Sequence, residues 1–204
     1  YEAAYDIGVA RVARRVSGRS LGLVLSGGGA RGYAHIGVIA ALAEAGFEVD
    51  RLGGCSMGAY IAAMSALGLD TDQIRDRCHD ELVRRTPFND WTLPRVALIR
   101  SRKAPRMLER VFGDLQVEEL PRSLFTVSAD LLSSRVVVHR RGSLIDAVGI
   151  SMSIPGLVPP VSRGGRLLVD GGVLNNLPVD LMHDIPEGPI VAVDFVRRLE
   201  SQPG

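Results

Sequence analysis

A three-layer α/β/α domain with a mostly parallel central sheet is the fold class this sequence predicts, on three observations. Short apolar runs, LGLVL at 21–25 and PIVAVDFV at 189–196, do not alternate with polar residues; strands buried on both faces read this way. The first run stops at glycines, and a helix-compatible segment from Gly32 to Ala45 follows, with Gly46 as its natural stop. A second strand–turn–helix unit comes next, FEVDRLGG and then Met57 to Leu67, which reads as the beginning of a right-handed βαβ fold. With 46% hydrophobic residues, 23% charged residues and 23 glycines, the 204-residue chain has a globular α/β composition and is long enough for one domain with a real core.

The remaining elements follow in order. Residues 1–20 read as a helical lead-in to the domain at 21–204. The chain starts at Tyr1 rather than Met, so a piece of a longer protein is expected. Residues 70–85 form a polar helix capped by Asp70 or Thr71. The stretch 86–103 holds Pro87, Trp91 and Pro94 without a clear period and reads as an irregular excursion, a candidate lid or lipid-docking segment. Arg106–Phe112 is a short helix. SLFTVSAD and RVVVHR are two strands joined by LLSS, and SLIDAVGISMSI is a helix ended by Pro155. RLLVDGG is a strand running into a glycine turn, PVDLMHD a helix opened by Pro178, and PIVAVDFV a last buried strand.

Charge excludes one class of partner. A net charge of +1 gives no global case for nucleic-acid binding. The basic residues are unevenly spread: Arg11, Arg14, Arg15 and Arg19 cluster without an acid, and seven basic residues lie between 84 and 106 against Asp90 alone. Such stretches are either solvated surface or a face for anionic lipid headgroups. Cys55 and Cys78 make neither a disulfide framework nor a metal pattern, and a reducing compartment is the default. No apolar run approaches the roughly 20 residues needed to span a bilayer.

Gly54-Cys55-Ser56-Met57-Gly58 fits G-x-S-x-G. A sharp strand-to-helix turn needs the flanking glycines and throws the central serine out at a helix N-terminus, where negative charge is favoured. Ser56 is therefore the candidate nucleophile; Cys55 points back as small core filler, and thiol catalysis by Cys55 is the remote alternative. Upstream, Gly27-Gly28-Gly29-Ala30-Arg31-Gly32 exposes consecutive backbone N–H groups. A dinucleotide fingerprint fits poorly, because the expected acid is met only by ill-placed residues such as Asp50, and a phosphate loop lacks its Lys-Ser/Thr. An oxyanion hole, with amides from Gly28 and Gly29 and additional charge from Arg31, suits the nearby serine. A His183 base after Asp170 would make a triad. The other candidate base is Asp170 itself, in Asp170-Gly171-Gly172, placed at the sheet edge of Ser56 if both follow parallel strands and active if burial raises its proton affinity. Asn175 and Asn176 are candidates to hold that loop.

The three pieces, GGGARG, GCSMG and DGG, resemble in order and spacing the patatin-like phospholipase family. GRSLGLVLSGGGARGYAHIGV and DGGVLNNLPVDLM look most like its neuropathy target esterase branch and bacterial relatives. The resemblance covers about residues 18–197. It implies a Ser56–Asp170 dyad without histidine, an oxyanion hole at Gly28, Gly29 and Arg31, and motif glycines at Gly27, Gly32, Gly54, Gly58, Gly171 and Gly172. It implies no metal and no cofactor, a lysophospholipid or phospholipid substrate, and a cytoplasmic enzyme peripherally associated with a membrane surface. It further implies cyclic-nucleotide-binding domains in the parent chain, and Cys55 stands where relatives more often carry Thr or Ala. A catalytically weak lipid- or nucleotide-binding module using the glycine-loop anion pocket is the alternative.

Overall fold

The structure, a computed structural model, describes residues 2–90, 97–99 and 103–195. Among the described residues seven strands form one sheet: β1 (Leu21–Leu25), β2 (Val49–Gly54), β3 (Ser123–Asp130), β4 (Arg135–His139), β5 (Val161–Arg163), β6 (Arg166–Asp170) and β7 (Ile190–Val193). Their order is β5-β6-β3-β2-β1-β7, with β4 also paired to β3. β7, β1, β2 and β3 run parallel and form the centre. The helices are α1 (Glu2–Val16), α2 (Ala34–Glu44), α3 (Met57–Ala66), α4 (Thr71–Cys78), α5 (Lys103–Phe112), α6 (Leu144–Ser151) and α7 (Val179–His183).

The α/β/α class and the early strand–helix units are as expected, and four details differ. β6 runs antiparallel to β3, not parallel to the strand before Ser56. Its carboxyl end still reaches the site because β3 outruns its neighbour: β2 ends at Gly54 opposite Thr126, whereas β3 continues to Asp130. β6 folds back along that overhang and ends with Asp170 opposite Ser128, two residues beyond the level of Gly54. The last strand, β7, is a half-buried sheet edge rather than a fully buried strand. α6 stops at Ser151, short of Pro155, and Gly29–Tyr33 forms a 3-10 turn ahead of α2. In the excursion at 86–103, residues 91–96 and 100–102 lie outside the described residues. Around that gap, Leu98 and Ile99 donate backbone hydrogen bonds to Gly156 and Leu157, at 3.0 and 2.9 Å.

α3 is buried along its whole length against β1, β2 and β3, and its small-residue sequence, MGAYIAAMSA, fits that close packing. The main core joins α3 to α2, α4, α5 and α6. A smaller cluster of Val24, Cys55, Phe125, Val127 and Met182 joins the sheet to α7. α4 carries the expected Asp70 cap as a full capping box with Gln73.

Within the first arginine cluster, Arg11, Arg14 and Arg15 are paired with acids, whereas Arg19 stays exposed. Arg14 grips Asp50 with two bonds of 2.9 and 2.7 Å, and Arg15 grips Glu187 at 2.8 and 2.9 Å. These pairs tie α1 to the amino-terminal edge of the sheet. In the second cluster, Arg84 pairs with Asp80 at 3.2 Å and Arg85 with Glu81 at 3.4 Å.

Candidate active site

β2 turns into α3 at Ser56, and the turn is strained. Ser56 has φ 53° and ψ −122°, in the positive-φ region that a residue with a Cβ rarely enters. Close packing explains why glycines flank it. A Cβ on Gly54 would come within 2.6 Å of the Ala59 nitrogen, and one on Gly58 would collide with the Leu25 carbonyl. Ser56 is 8% exposed and caps the amino terminus of the fully buried α3, so the surrounding core fixes its position.

Asp170 comes from the other side of the fold and is 5% exposed. The Ser56 hydroxyl is close enough to stabilise its charged form. Asp170 accepts from the Gly172 N–H at 2.7 Å and from the Cys55 thiol at 3.5 Å. Burial raises its proton affinity above the ordinary carboxylate range, although the Ser56 hydroxyl, the Gly172 N–H and the Cys55 thiol pull the other way. Gly171 lies so close to β3 that a Cβ would sit 2.6 Å from the Val127 carbonyl, which fixes the turn after the strand.

The glycine loop packs directly against this pair. A Cβ on Gly27 would lie 3.2 Å from the Ser56 Cβ and 2.6 Å from Asn176 Oδ1. Gly29 adopts φ +55°, and among the described residues the N–H groups of Gly28 and Gly29 donate to no protein acceptor. Gly32 sits against Met57, leaving no room for a Cβ. Arg31 is exposed, and its guanidinium donates to the Phe195 carbonyl at 3.4 Å. Asn176 joins the two loops, because its main-chain carbonyl accepts from the Gly27 N–H and its side-chain amide donates to the Gly27 carbonyl, both at 3.2 Å. Asn175 instead bonds Asp180 at 2.9 Å.

One support was not legible in the sequence. The Ser56 N–H donates to Ser151 Oγ at 2.9 Å, and the Asp170 N–H donates to the Ser153 carbonyl at 2.8 Å. The end of α6 thus holds the backbones of both residues. Nothing in SMS distinguishes these serines from ordinary helix-end residues.

The histidines do not join the pair. His183 is exposed at the end of α7, and among the described residues no hydrogen bond links it to Ser56 or Asp170. His35 is buried, with Nε2 donating to the Ser26 carbonyl at 2.8 Å. A serine–histidine hydrogen bond exists elsewhere, Ser128 to His139 at 2.8 Å, but Ser128 is fully buried in β3. Burial, with Arg163 and Arg166 nearby, lowers His139 to about 4 and keeps it neutral. The Cys55 thiol is 0% exposed, and burial followed by the Asp170 charge pushes it far above its ordinary range. A thiolate nucleophile is therefore disfavoured.

Ser56 opens into a cleft of about 320 Å³ lined by Tyr33, Met57, Leu82, Phe88, Met152 and Val158, among others. The Tyr33 hydroxyl is occupied by the Cys78 carbonyl at 3.1 Å, so the cleft presents a serine hydroxyl on largely apolar walls.

The model of the family described as patatin-like phospholipase matches residues 23–183, which include the elbow, the glycine loop and Asp170. The chain belongs to the patatin-like phospholipase family. It is 46% identical over 197 residues to an uncharacterized NTE family protein of Mycobacterium tuberculosis (strain CDC 1551 / Oshkosh), covering 97% of this chain and 34% of that one. It is 39% identical over 188 residues to the lysophospholipase nte1 of Aspergillus fumigatus, covering 90% and 12% respectively. The chain thus spans about a third or less of the length of these relatives, and both carry the expected branch name. The fold also resembles the crystal structure of VipD from Legionella pneumophila, with a TM-score of 0.53 at 17% identity over 88% of this chain and 51% of that one. Among the described residues no helix is long and apolar enough to cross a membrane.

Proposed function

We propose that this domain is a serine acyl hydrolase that releases fatty acids from lysophospholipids or phospholipids through an acyl-enzyme. Ser56 is the nucleophile and Asp170 the base. The observation that carries this reading is a buried carboxylate, raised in proton affinity, brought beside a strained serine at an apolar cleft. As Ser56 Oγ attacks the ester carbonyl, its proton passes to Asp170, and the amides of Gly28 and Gly29 receive the developing oxyanion. Collapse of the tetrahedral intermediate returns the proton to the departing alcohol and leaves the fatty acyl group on Ser56. Water then attacks that ester, again giving its proton to Asp170, and as the acid leaves that proton returns to Ser56 Oγ. Loss of one oxyanion donor in such a site costs about 3 kcal/mol in the barrier.

A base must be ionised near working pH yet hold a proton well enough to take one. Burial moves Asp170 in that direction. A module that only bound a lipid or nucleotide on the glycine loop would gain nothing from setting Asp170 beside Ser56. The test is product analysis on a panel of lysophospholipids, phospholipids and acylglycerols with the unaltered protein and Ser56→Ala. Fatty-acid release that disappears in the variant supports the reading, and undiminished release in the variant refutes it.

A further inference from the structure

Beside the Ser56 cleft lies a second cavity that the steps above do not use. It measures about 440 Å³ and lies between α5, α6 and the segment at 159–161. Its walls include Met107 and Leu108 of α5, Ile145 and Gly149 of α6, Pro160 and Val161. Phe88, Met152 and Val158 line both cavities, so the partition between them consists of three apolar side chains. The polar groups nearby are already engaged: Asp146 pairs with Arg163 at 2.6 Å, and the Ser153 hydroxyl donates to the Gly149 carbonyl at 2.9 Å. Little is left for a polar ligand to bind, and the walls favour hydrocarbon.

The ester carbonyl has to sit between Ser56 and the Gly28 and Gly29 amides, so its acyl chain leaves along the cleft walls. That cleft is at the small end of ligand sites, which run from about 300 to 1,000 Å³, and a long chain overfills it. Met152 belongs to both chambers, and methionine is the apolar side chain best able to shift aside. Along one wall α5 and α6 meet closely: a Cβ on Gly149 would come to 3.0 Å from Leu108 Cδ1.

We infer that the substrate's acyl chain passes from Ser56 beyond Met152 into this second chamber, whose lining residues Ile145 and Val161 then decide which acyl chain lengths are accepted. The inference rests on Ser56 being the acyl-transfer nucleophile, and the test has one arm that does not need catalysis. Ile145 and Val161 are half-buried and line the second chamber but not the first, so Ile145→Trp and Val161→Trp fill it from two sides. Hydrolysis of p-nitrophenyl palmitate and butyrate is compared as a kcat/KM ratio, normalised to circular-dichroism-verified folded protein. The palmitate-to-butyrate ratio is expected to fall roughly tenfold or more in both variants, and an unchanged ratio in both overturns the inference. Binding of the fluorescent fatty acid cis-parinaric acid is the second arm and is expected to weaken by a similar factor. If the unaltered protein cleaves neither ester while this binding is present and lost in the variants, the chamber stands and the acyl-hydrolase reading falls. Absent binding in the unaltered protein, or binding untouched by both substitutions, overturns the chamber.

Discussion

Two buried aspartates sit at opposite ends of the sheet and are treated differently. Asp50, at the amino-terminal edge, is 0% exposed and held by the forked guanidinium of Arg14, with Arg11 at 3.5 Å. Asp170, at the site, is just as buried, but its partners are a hydroxyl, a thiol and a backbone N–H, all neutral. The Asp50 oxygens are taken up by guanidinium groups at the edge of the sheet away from the Ser56 cleft. A carboxylate held by neutral donors keeps a raised proton affinity and can accept a proton. The comparison separates a carboxylate that fastens the lead-in helix from one equipped for chemistry.

Substitution at both ends gives the largest contrast. Asp170→Asn is expected to cost roughly a thousandfold or more in kcat for ester hydrolysis while the protein stays folded. Asp50→Asn is expected to leave kcat within about threefold but to lower unfolding stability by on the order of 3 kcal/mol, because Arg14 and Arg11 lose their shared partner. Urea titration of both variants beside steady-state kinetics makes the comparison, and it fails if the two losses are exchanged.

The pH dependence sharpens it. Catalysis needs Asp170 ionised, and its affinity for a proton is raised, so kcat/KM should fall on acidification with a midpoint above the ordinary aspartate value of about 4. Stability should respond in the opposite sense. A raised folded-state value means that the contribution from Asp170 is fully present below the unfolded value of about 3.9 and is lost as pH rises through the folded one. The Tm of Asp170→Asn relative to the unaltered protein should therefore climb between pH 4 and pH 8. A flat difference would contradict the burial argument.

Smaller effects are expected around the pair. Asn176→Ala removes the amide that holds the Gly27 carbonyl but none of the groups that meet the ester, so roughly a tenfold loss in kcat with little change in KM is expected. Cys55→Ala takes away one weak donor to Asp170 and should change kcat by only about twofold, a direct check against thiol chemistry.

What was legible in the sequence was local. The elbow could be read because a strained serine needs glycine on both sides, and that requirement falls within GCSMG. The glycine loop and the Asp70 cap were readable for the same reason. Asp170 was found from its glycines, yet the strand carrying it was given the wrong direction, since β6 takes its direction from the overhang of β3 and not from its own residues. Arg14 and Arg15 looked like free charge because their partners lie 36 and 172 residues away. Ser151 and the Ser153 carbonyl stayed hidden because the first is a common residue and the second is main chain. Arg31, adjacent to the loop in sequence, turned out to reach Phe195.

Covalent capture tests the central claim most directly: Ser56 attacks with Asp170, and no histidine, as its base. A fluorophosphonate probe is allowed to react at neutral pH, and the adduct is located by peptide mass spectrometry and its rate followed in variants. The account predicts one adduct on Ser56, abolished in Ser56→Ala, strongly slowed in Asp170→Asn and unaffected in His183→Ala. Labelling on Cys55, or a Ser56 adduct that forms as fast in Asp170→Asn as in the unaltered protein, would contradict it.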